Sequence, residues 1–202
     1  MFNDGVIEAV RGAPFGAHDL SQLGLGSHTL GDSASRRAAI AALIAQIKYR
    51  PMGERGALVV ELAAAMHSTL PKDLMMGPGQ IKRLYDEGME IGGHTINHPI
   101  LTALDDSQAR AEIAGGKRRL EEITGAPVTL FAYPNGKPGS DYGPRHVELV
   151  KEAGFAVAVS MIPGIANRGS DLFQLPRFGA WDRTTRRFGA RLLLSCARSV
   201  PA

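Results

Sequence analysis

Hydrophobic residues recur with helical spacing over the first third of the chain. Helices are predicted at residues 6–11, 36–49 and 53–68. In the second of these, Ile40, Leu43 and Ile47 fall on one face, as in an amphipathic helix. The glycine-rich segments between the helices show no alternation of period two. We therefore predict that residues 1–70 form a helical N-terminal segment without strands.

From residue 71 onward, helical patterns alternate with short apolar runs. Helices are predicted at residues 77–88, 106–123, 144–154 and 184–199, and strands at residues 89–95, 127–133, 155–160 and 172–178. Gly125 is predicted to end the second of these helices as a C-cap. The order of helices and strands favours an α/β fold, in which parallel strands are joined by helical crossovers. We divide the chain into the helical segment 1–70, an α/β core at 71–183, and an amphipathic C-terminal helix at 184–202 of the same domain.

Composition narrows the class of protein. Of the 202 residues, 44% are hydrophobic and 21% are charged, as in globular proteins. The net charge of +3 is not accompanied by a nucleic-acid motif, so no nucleic-acid partner is predicted. The single cysteine excludes an internal disulfide. We see no transmembrane segment and no secretory signal, and the sequence as written predicts a cytoplasmic protein.

Two histidines follow one predicted strand, in the segment GGHTINHP (residues 92–99). Neutral imidazoles bind zinc, and two of them four residues apart can bind one ion. The residue after His94 is Thr95, so the glutamate of the helical HExxH motif is absent, and Pro99 disfavours helical backbone at His98. On spacing alone, His94 and His98 are either metal ligands or ordinary loop residues.

The surrounding sequence resembles a known family. EGMEIGGHTINHPILTALDD is similar to the second motif of the polysaccharide deacetylase family (carbohydrate esterase family 4), in which a His-(Ser/Thr)-x-x-His segment supplies two metal ligands. LFAYPNGKPG is similar to the third motif of that family, a Pro-x-Gly turn that lines the active-site groove. The resemblance covers residues of about 73–180. It implies a partial or distorted (β/α) barrel, with His94 and His98 as ligands of a divalent metal, for which zinc is favoured.

The resemblance also implies a reaction and further site residues. The reaction is the metal-dependent removal of N-acetyl groups from the amino sugars of a polysaccharide or glycolipid. Asn135 would direct its backbone amide at the oxyanion, and Arg177 matches an arginine that orients the catalytic base in some branches of the family. Tyr133, Pro134 and Gly136 would contact the substrate in the groove.

The first motif of the family, which reads like TFDDG, has only one similar segment here, MFNDG at residues 1–5. In that alignment Asp4 would be the third metal ligand, and Asn3 would replace the general base although an amide cannot serve as one. The helical pattern that follows MFNDG leads us to assign it instead to a helical insertion, with the first motif upstream of residue 1. The alternative to an active hydrolase is therefore a truncated, inactive remnant that binds glycan or metal weakly. A sheet that lacks strands would also expose apolar surface, so self-association is expected.

Three further residues have competing interpretations. Asp141 and Tyr142 either contact substrate or simply form the turn, for which their residue types are suited. His146 is predicted to lie exposed on the first turn of its helix. The arginine-rich C-terminal helix either packs on the core or lies on an anionic membrane surface.

Overall fold

The computed structural model describes residues 2–179 and 181–197. The chain forms two compact units, Met1–Met76 and Gly77–Ala202. The helices are α1 (Phe2–Gly12), α2 (Ser33–Ile47), α3 (Met52–Ala65), α4 (Pro78–Asp86), α5 (Asp106–Thr124), α6 (Pro144–Glu152) and α7 (Thr185–Ala197). The strands are β1 (Gly16–Asp19), β2 (Ser27–Leu30), β3 (Gly92–Gly93), β4 (Leu130–Ala132), β5 (Val157–Pro163) and β6 (Leu175–Arg177).

In the first unit, α1 packs against α2 and α3, as the helical pattern predicts. Val10, Leu43 and Leu62 are fully buried at the centre of this core. Helix α2 begins at a capping box, in which the Asp32 carboxylate accepts hydrogen bonds from the first-turn amides and the Ser35 hydroxyl bonds back to the amide of Asp32. Such a cap satisfies amides that have no partner within the helix.

The prediction that the first unit has no strand was wrong. Strands β1 and β2 form an antiparallel hairpin in which His18 pairs with His28. His18 is buried, and its ring bonds to the carbonyl oxygen of Pro14 at 3.0 Å. Strands of four residues are too short to establish an alternating pattern, and a buried histidine obscures it further.

The second unit is an α/β structure, as predicted. Its sheet is parallel throughout, in the order β3-β4-β5-β6. Helix α5 packs against α4, α6 and β3. Phe131, Phe155 and Ala158 are buried in the core of this unit. Among the described residues β3 and β6 are the edges of an open sheet, and closure into a barrel stays a prediction.

Two predicted helix features hold in the second unit. Gly125 adopts φ +73° and ends α5 as a left-handed cap. Helix α7 begins at Thr185, and the last residues of the predicted C-terminal helix, 198–202, lie outside the described residues. In the described ranges, no helix has both the length and the apolar character needed to cross a membrane.

A close contact explains why β3 carries glycine immediately before the first histidine. A Cβ on Gly93 would lie 2.8 Å from the ring of Phe155 and 3.3 Å from the ring of Phe131. The two rings pack directly on the strand, so β3 lies close to the core. The backbone leaves β3 at His94.

Candidate functional site

The ends of β3 and β4 lie side by side, and a hydrogen bond joins them. Gly93 pairs with Phe131, which places the next residue of each strand, His94 and Ala132, at the carboxyl edge of the sheet. The Nδ1 of His94 lies 2.7 Å from the carbonyl oxygen of Ala132. Because a carbonyl oxygen only accepts, this hydrogen bond requires a proton on Nδ1. In the neutral tautomer with that proton, Nε2 is the nitrogen with the lone pair. This is the tautomer that metal-binding histidines use when Nε2 is the ligand atom.

The two imidazoles converge. We call residues 94–98 the histidine loop. The ring centroids of His94 and His98 lie 4.7 Å apart, with an angle of 72° between the ring planes. His94 is exposed and His98 is half-buried, so the pair is open to solvent on one side. The structure therefore brings together the two predicted metal ligands.

The histidine loop follows an unusual backbone path. Thr95 has φ +63° and His98 has φ +55°. For residues with a side chain, this left-handed conformation costs about 1–2 kcal/mol each. Pro99 contributes to the path because it disfavours the right-handed helical conformation at His98. The His98 amide donates to the Thr95 hydroxyl at 3.1 Å, which closes the loop on itself.

A buried carboxylate from α5 supports the loop, and the sequence-based reasoning did not find it. Glu112 is only 7% exposed. One of its oxygens accepts hydrogen bonds from the amides of Ile96 at 2.9 Å and Asn97 at 2.8 Å. Its other oxygen accepts from the side-chain amide of Asn97 at 2.7 Å. Hydrogen bonds to a charged group contribute about 1.5–3 kcal/mol each, enough to offset the cost of the left-handed residues.

The Pro-x-Gly turn after β4 also has left-handed backbone. Asn135 has φ +58° and Gly136 has φ +78°. The Gly136 amide donates to the Pro134 carbonyl at 2.6 Å, and the Gly136 carbonyl accepts from the Met161 amide at 2.7 Å. Among residues 2–179 and 181–197, no acceptor bonds to the amide of Asn135. The role of this N–H as an oxyanion donor stays a prediction.

Tyr133, predicted to contact the substrate, has no exposed surface. Its ring stacks on that of Tyr142 with the centroids 3.8 Å apart, and its hydroxyl donates to the Phe173 carbonyl at 3.0 Å. Burial raises the pKa of both phenols, so both remain neutral donors at neutral pH. Tyr133 therefore supports the turn from within the core. The burial follows from strand alternation, because Tyr133 lies two residues after the core residue Phe131.

Arg177 ends β6 beside the turn. Its Nε donates to the Ser160 carbonyl at 2.8 Å, and its guanidinium contacts the sulfur of Met161. Met161 in turn bonds to Gly136, so Arg177 reaches the turn through this methionine. In the described part of the chain, no Asp or Glu forms an ion pair with Arg177. A role in orienting a base stays a prediction.

Two other candidate residues, Asp141 and His146, are buried and form hydrogen bonds to nearby backbone. Asp141 is buried and accepts from the Lys137 amide at 2.9 Å, so it stabilises the turn. His146, predicted to be exposed, is only 8% exposed. Its Nδ1 accepts from the Gly143 amide at 3.0 Å at the start of α6, which folds the ring back onto its own helix. Burial lowers the pKa of His146.

An apolar groove of about 200 Å³ lies on the sheet next to the histidine pair. Its lining comes from three adjacent strands and from the first histidine: Gly92, Gly93, His94, Leu130, Phe131, Ala132, Val157 and Val159. The groove places an apolar wall beside the imidazole of His94. Such a wall suits an uncharged group of a ligand better than a charged one.

The histidine pair could supply two ligands of a divalent metal ion. The two imidazole rings lie close together, and a backbone carbonyl bonds to Nδ1 of one of them. Among the residues that the structure describes, no third His, Cys, Asp or Glu joins them in a group that could hold a metal ion. The segment MFNDG does not form the strand that the first family motif requires, because Asn3 and Asp4 lie in α1 of the first unit.

The sequence matches the model of a known protein family. The family model for polysaccharide deacetylase matches residues 54–158, just over half of the chain. YxkH of Bacillus subtilis (strain 168), whose name carries a provisional assignment as a polysaccharide deacetylase, is 28% identical over 98 residues. The aligned part is 48% of this chain and 34% of YxkH. The chain thus spans about a third of the length of this relative.

Two solved structures are similar to part of the chain. BC0361, a polysaccharide deacetylase from Bacillus cereus, is 26% identical with a TM-score of 0.50. BA0330 from Bacillus anthracis, provisionally assigned to the same family, is 25% identical with a TM-score of 0.50. Each match covers 58% of this chain and 36% of the other. The resemblance inferred from the two motifs is therefore confirmed by independent comparisons.

Proposed function

The chain belongs to the polysaccharide deacetylase family, and on that premise we propose that His94 and His98 are two ligands of a divalent metal used to remove N-acetyl groups from amino sugars of a polysaccharide or glycolipid. The observation that carries the proposal is the convergence of the two rings, 4.7 Å apart, with the His94 Nδ1 bonded to the Ala132 carbonyl. That bond leaves Nε2 of His94 as a ligand atom. Imidazole ligands suit zinc and several other divalent ions, and zinc is the ion that we favour.

In this proposal, the metal, the Asn135 amide and the apolar groove each contribute to the reaction. A divalent ion acts as a Lewis acid towards the acetamide carbonyl when it is bound. The Asn135 amide, which has no acceptor among the described residues, is suited to donate a hydrogen bond to an oxyanion. The apolar groove beside His94 offers a wall for the uncharged acetyl methyl group. Arg177 is placed beside the Asn135–Gly136 turn through Met161.

A second function is favoured by one observation. Among the described residues, no group of three or more His, Cys, Asp or Glu could hold a metal ion, and Asp4 lies in helix α1. Two imidazoles without a third ligand bind zinc weakly, and hydrolysis also needs a general base. The second candidate is therefore a non-catalytic chain that binds metal or glycan weakly.

Metal titration tests the common premise of the two candidates. We expect Zn²⁺ binding to the 202-residue chain, measured by calorimetry, to be lost in His94→Ala and in His98→Ala. The control is His67→Asn, which removes an exposed imidazole at a position with φ +52° and replaces it with a residue that tolerates this conformation. Unchanged Zn²⁺ binding in both alanine variants would exclude His94 and His98 as ligands.

Acetate release then separates the two candidates. The chain is incubated with a chitin oligomer and Zn²⁺, and free acetate is measured. Release that disappears in His94→Ala supports the hydrolase. Zinc binding without release would refute the hydrolase and support the non-catalytic alternative.

A further inference from the structure

We propose that Glu112 is a positioning residue of the histidine pair. Its carboxylate, anchored on α5, fixes the histidine loop in the path that brings His94 and His98 together. Neither the histidine motif nor the Pro-x-Gly motif of the sequence includes this residue. The hydrogen bonds of the structure support the role of Glu112 in holding the loop. The effect of Glu112 on metal affinity rests on the proposed function.

Three hydrogen bonds from the histidine loop converge on Glu112. Glu112 accepts from two successive backbone amides, those of Ile96 and Asn97, and from the Asn97 side chain. Successive amides that point to one anion form a concave binding site for it. A loop can present both amides to one oxygen only along a narrow set of backbone paths. The carboxylate therefore selects the loop conformation as well as holding it.

Glu112 is also buried. The residue is only 7% exposed, and the three N–H donors replace the hydration that its carboxylate would have in water. No Lys or Arg forms an ion pair with Glu112 within the described ranges. A buried carboxylate that depends on amide donors from one loop would lose them if that loop moved. The loop and the carboxylate therefore hold each other in place.

The surface of α5 around Glu112 also contacts the histidine loop. Gly116 lies one turn further along the helix, on the same face. A Cβ at Gly116 would lie 3.0 Å from the carbonyl carbon of Thr95 and 3.1 Å from its oxygen. The loop backbone is thus in direct contact with the helix between the two histidines. Glu112 and Gly116 together form the surface on which the loop rests.

The two residues whose amides bond to Glu112 lie between the two histidines in the chain. Ile96 and Asn97 are the middle of the histidine loop, between the left-handed residues Thr95 and His98. Without the hydrogen bonds to Glu112, Thr95 and His98 could relax to commoner backbone conformations. That change would turn the two imidazole rings away from each other. Outer partners of metal ligands typically change metal affinity about 10- to 100-fold when they are removed.

The test uses the full 202-residue chain and three variants at two positions of α5. Glu112→Ala removes all three hydrogen bonds. Glu112→Gln keeps an acceptor for the two backbone amides, and its amide group can donate to Asn97 once that side chain flips. The control Glu122→Ala removes an exposed carboxylate that pairs with Arg119 at 3.1 Å on the same helix.

The first measurement needs no metal. Nuclear magnetic resonance gives the hydrogen-exchange rates of the Ile96 and Asn97 amides and the tautomer of the His94 ring. We expect exchange at least about 10-fold faster in Glu112→Ala, loss of the single tautomer, and rates within about 2-fold of the unmodified chain in Glu112→Gln and Glu122→Ala. Unchanged exchange and an unchanged tautomer in Glu112→Ala would overturn the proposal.

The second measurement is Zn²⁺ affinity. We expect binding about 10- to 100-fold weaker in Glu112→Ala and restored in Glu112→Gln. If Glu112→Ala does not fold, Asn97→Ala serves instead, because it removes only the side-chain bond and should raise the exchange of the Ile96 amide to a smaller extent. An unmodified chain that binds no Zn²⁺ would refute the proposed function but not the positioning role, which the exchange measurement decides.

Discussion

Replacing Gly116 with alanine should measure how tightly the histidine loop packs on α5. In a helix interior this replacement normally stabilises by about 1 kcal/mol. Here the new Cβ would lie 3.0–3.3 Å from three backbone atoms of Thr95, so the backbone must shift. Overpacking of this kind costs about 1–3 kcal/mol. The net effect expected is a loss of about 0–2 kcal/mol in the free energy of unfolding.

The neighbouring glycine provides a matched control. A Cβ at Gly115 would lie 2.7 Å from the end of the Ile96 side chain, which is 58% exposed and can turn away, and at ordinary van der Waals distance from the Arg118 side chain, 3.9 Å. Gly115→Ala should therefore gain up to about 1 kcal/mol from helix propensity. Both glycines lie in α5, so both variants report on the same folding unit. The difference between them isolates the contact with Thr95, at about 1–3 kcal/mol.

The assay is urea unfolding of the full chain, followed by circular dichroism at 222 nm at constant pH. A lower midpoint for Gly116→Ala than for Gly115→Ala, with an unchanged slope, supports the reasoning. Equal midpoints, or a more stable Gly116→Ala, would refute it, because the loop backbone would then not be held against the helix. Weaker Zn²⁺ binding in Gly116→Ala, but not in Gly115→Ala, should accompany the loss of stability.

Three further predictions concern the surroundings of the site. Burial lowers the pKa of His146 in the folded chain below its ordinary value of 6.5. Between the folded and the unfolded pKa, the unfolded chain therefore binds more protons than the folded chain. The free energy of unfolding should then fall as the pH falls through that interval. His146→Gln keeps the hydrogen-bond acceptor but cannot titrate, so its unfolding midpoint should change less between pH 7 and pH 5 than that of the unmodified chain. Tyr133→Phe leaves the Phe173 carbonyl without its donor and should cost about 0.5–1.5 kcal/mol in urea unfolding, whereas a change below 0.2 kcal/mol would mean that water replaces the bond. Gly136→Ala and Gly139→Ala both place a side chain at positive φ, but only the first brings the Cβ within 3.1 Å of backbone atoms, so its midpoint should be the lower of the two.

The local parts of the fold could be predicted from the sequence. Helical periodicity located α2 and α5, and Gly125 marked the end of α5 correctly, because these features depend on residues within one or two turns. The histidine pair was also local, since both rings belong to one five-residue loop. The strands of the second unit were located because apolar runs alternate there with helices, whereas the β1–β2 hairpin was missed because its strands lie in a glycine-rich segment without alternation.

The residues that support the site depend on long-range packing. Glu112 lies 15 residues from Asn97 along the chain, and only the docking of α5 on β3 brings it to the histidine loop. One signal for it was present in the sequence. The pair Gly115-Gly116 weakens a helix, so its presence beside Glu112 indicated that another backbone approaches that face. Tyr133 carried a similar signal, since strand alternation places it on the same face as Phe131.

The register of the sheet connects the two family motifs physically. The His94 Nδ1 reaches the Ala132 carbonyl across 38 residues of chain only because Gly93 pairs with Phe131 in the parallel ladder. A slip of one residue would turn His94 to the opposite face of the sheet. Gly93 protects this register, because only a residue without a side chain fits against the ring of Phe155. The tautomer of the proposed metal ligand is therefore set by core packing on the buried side of the sheet, and changes in that packing should alter metal affinity without touching either histidine.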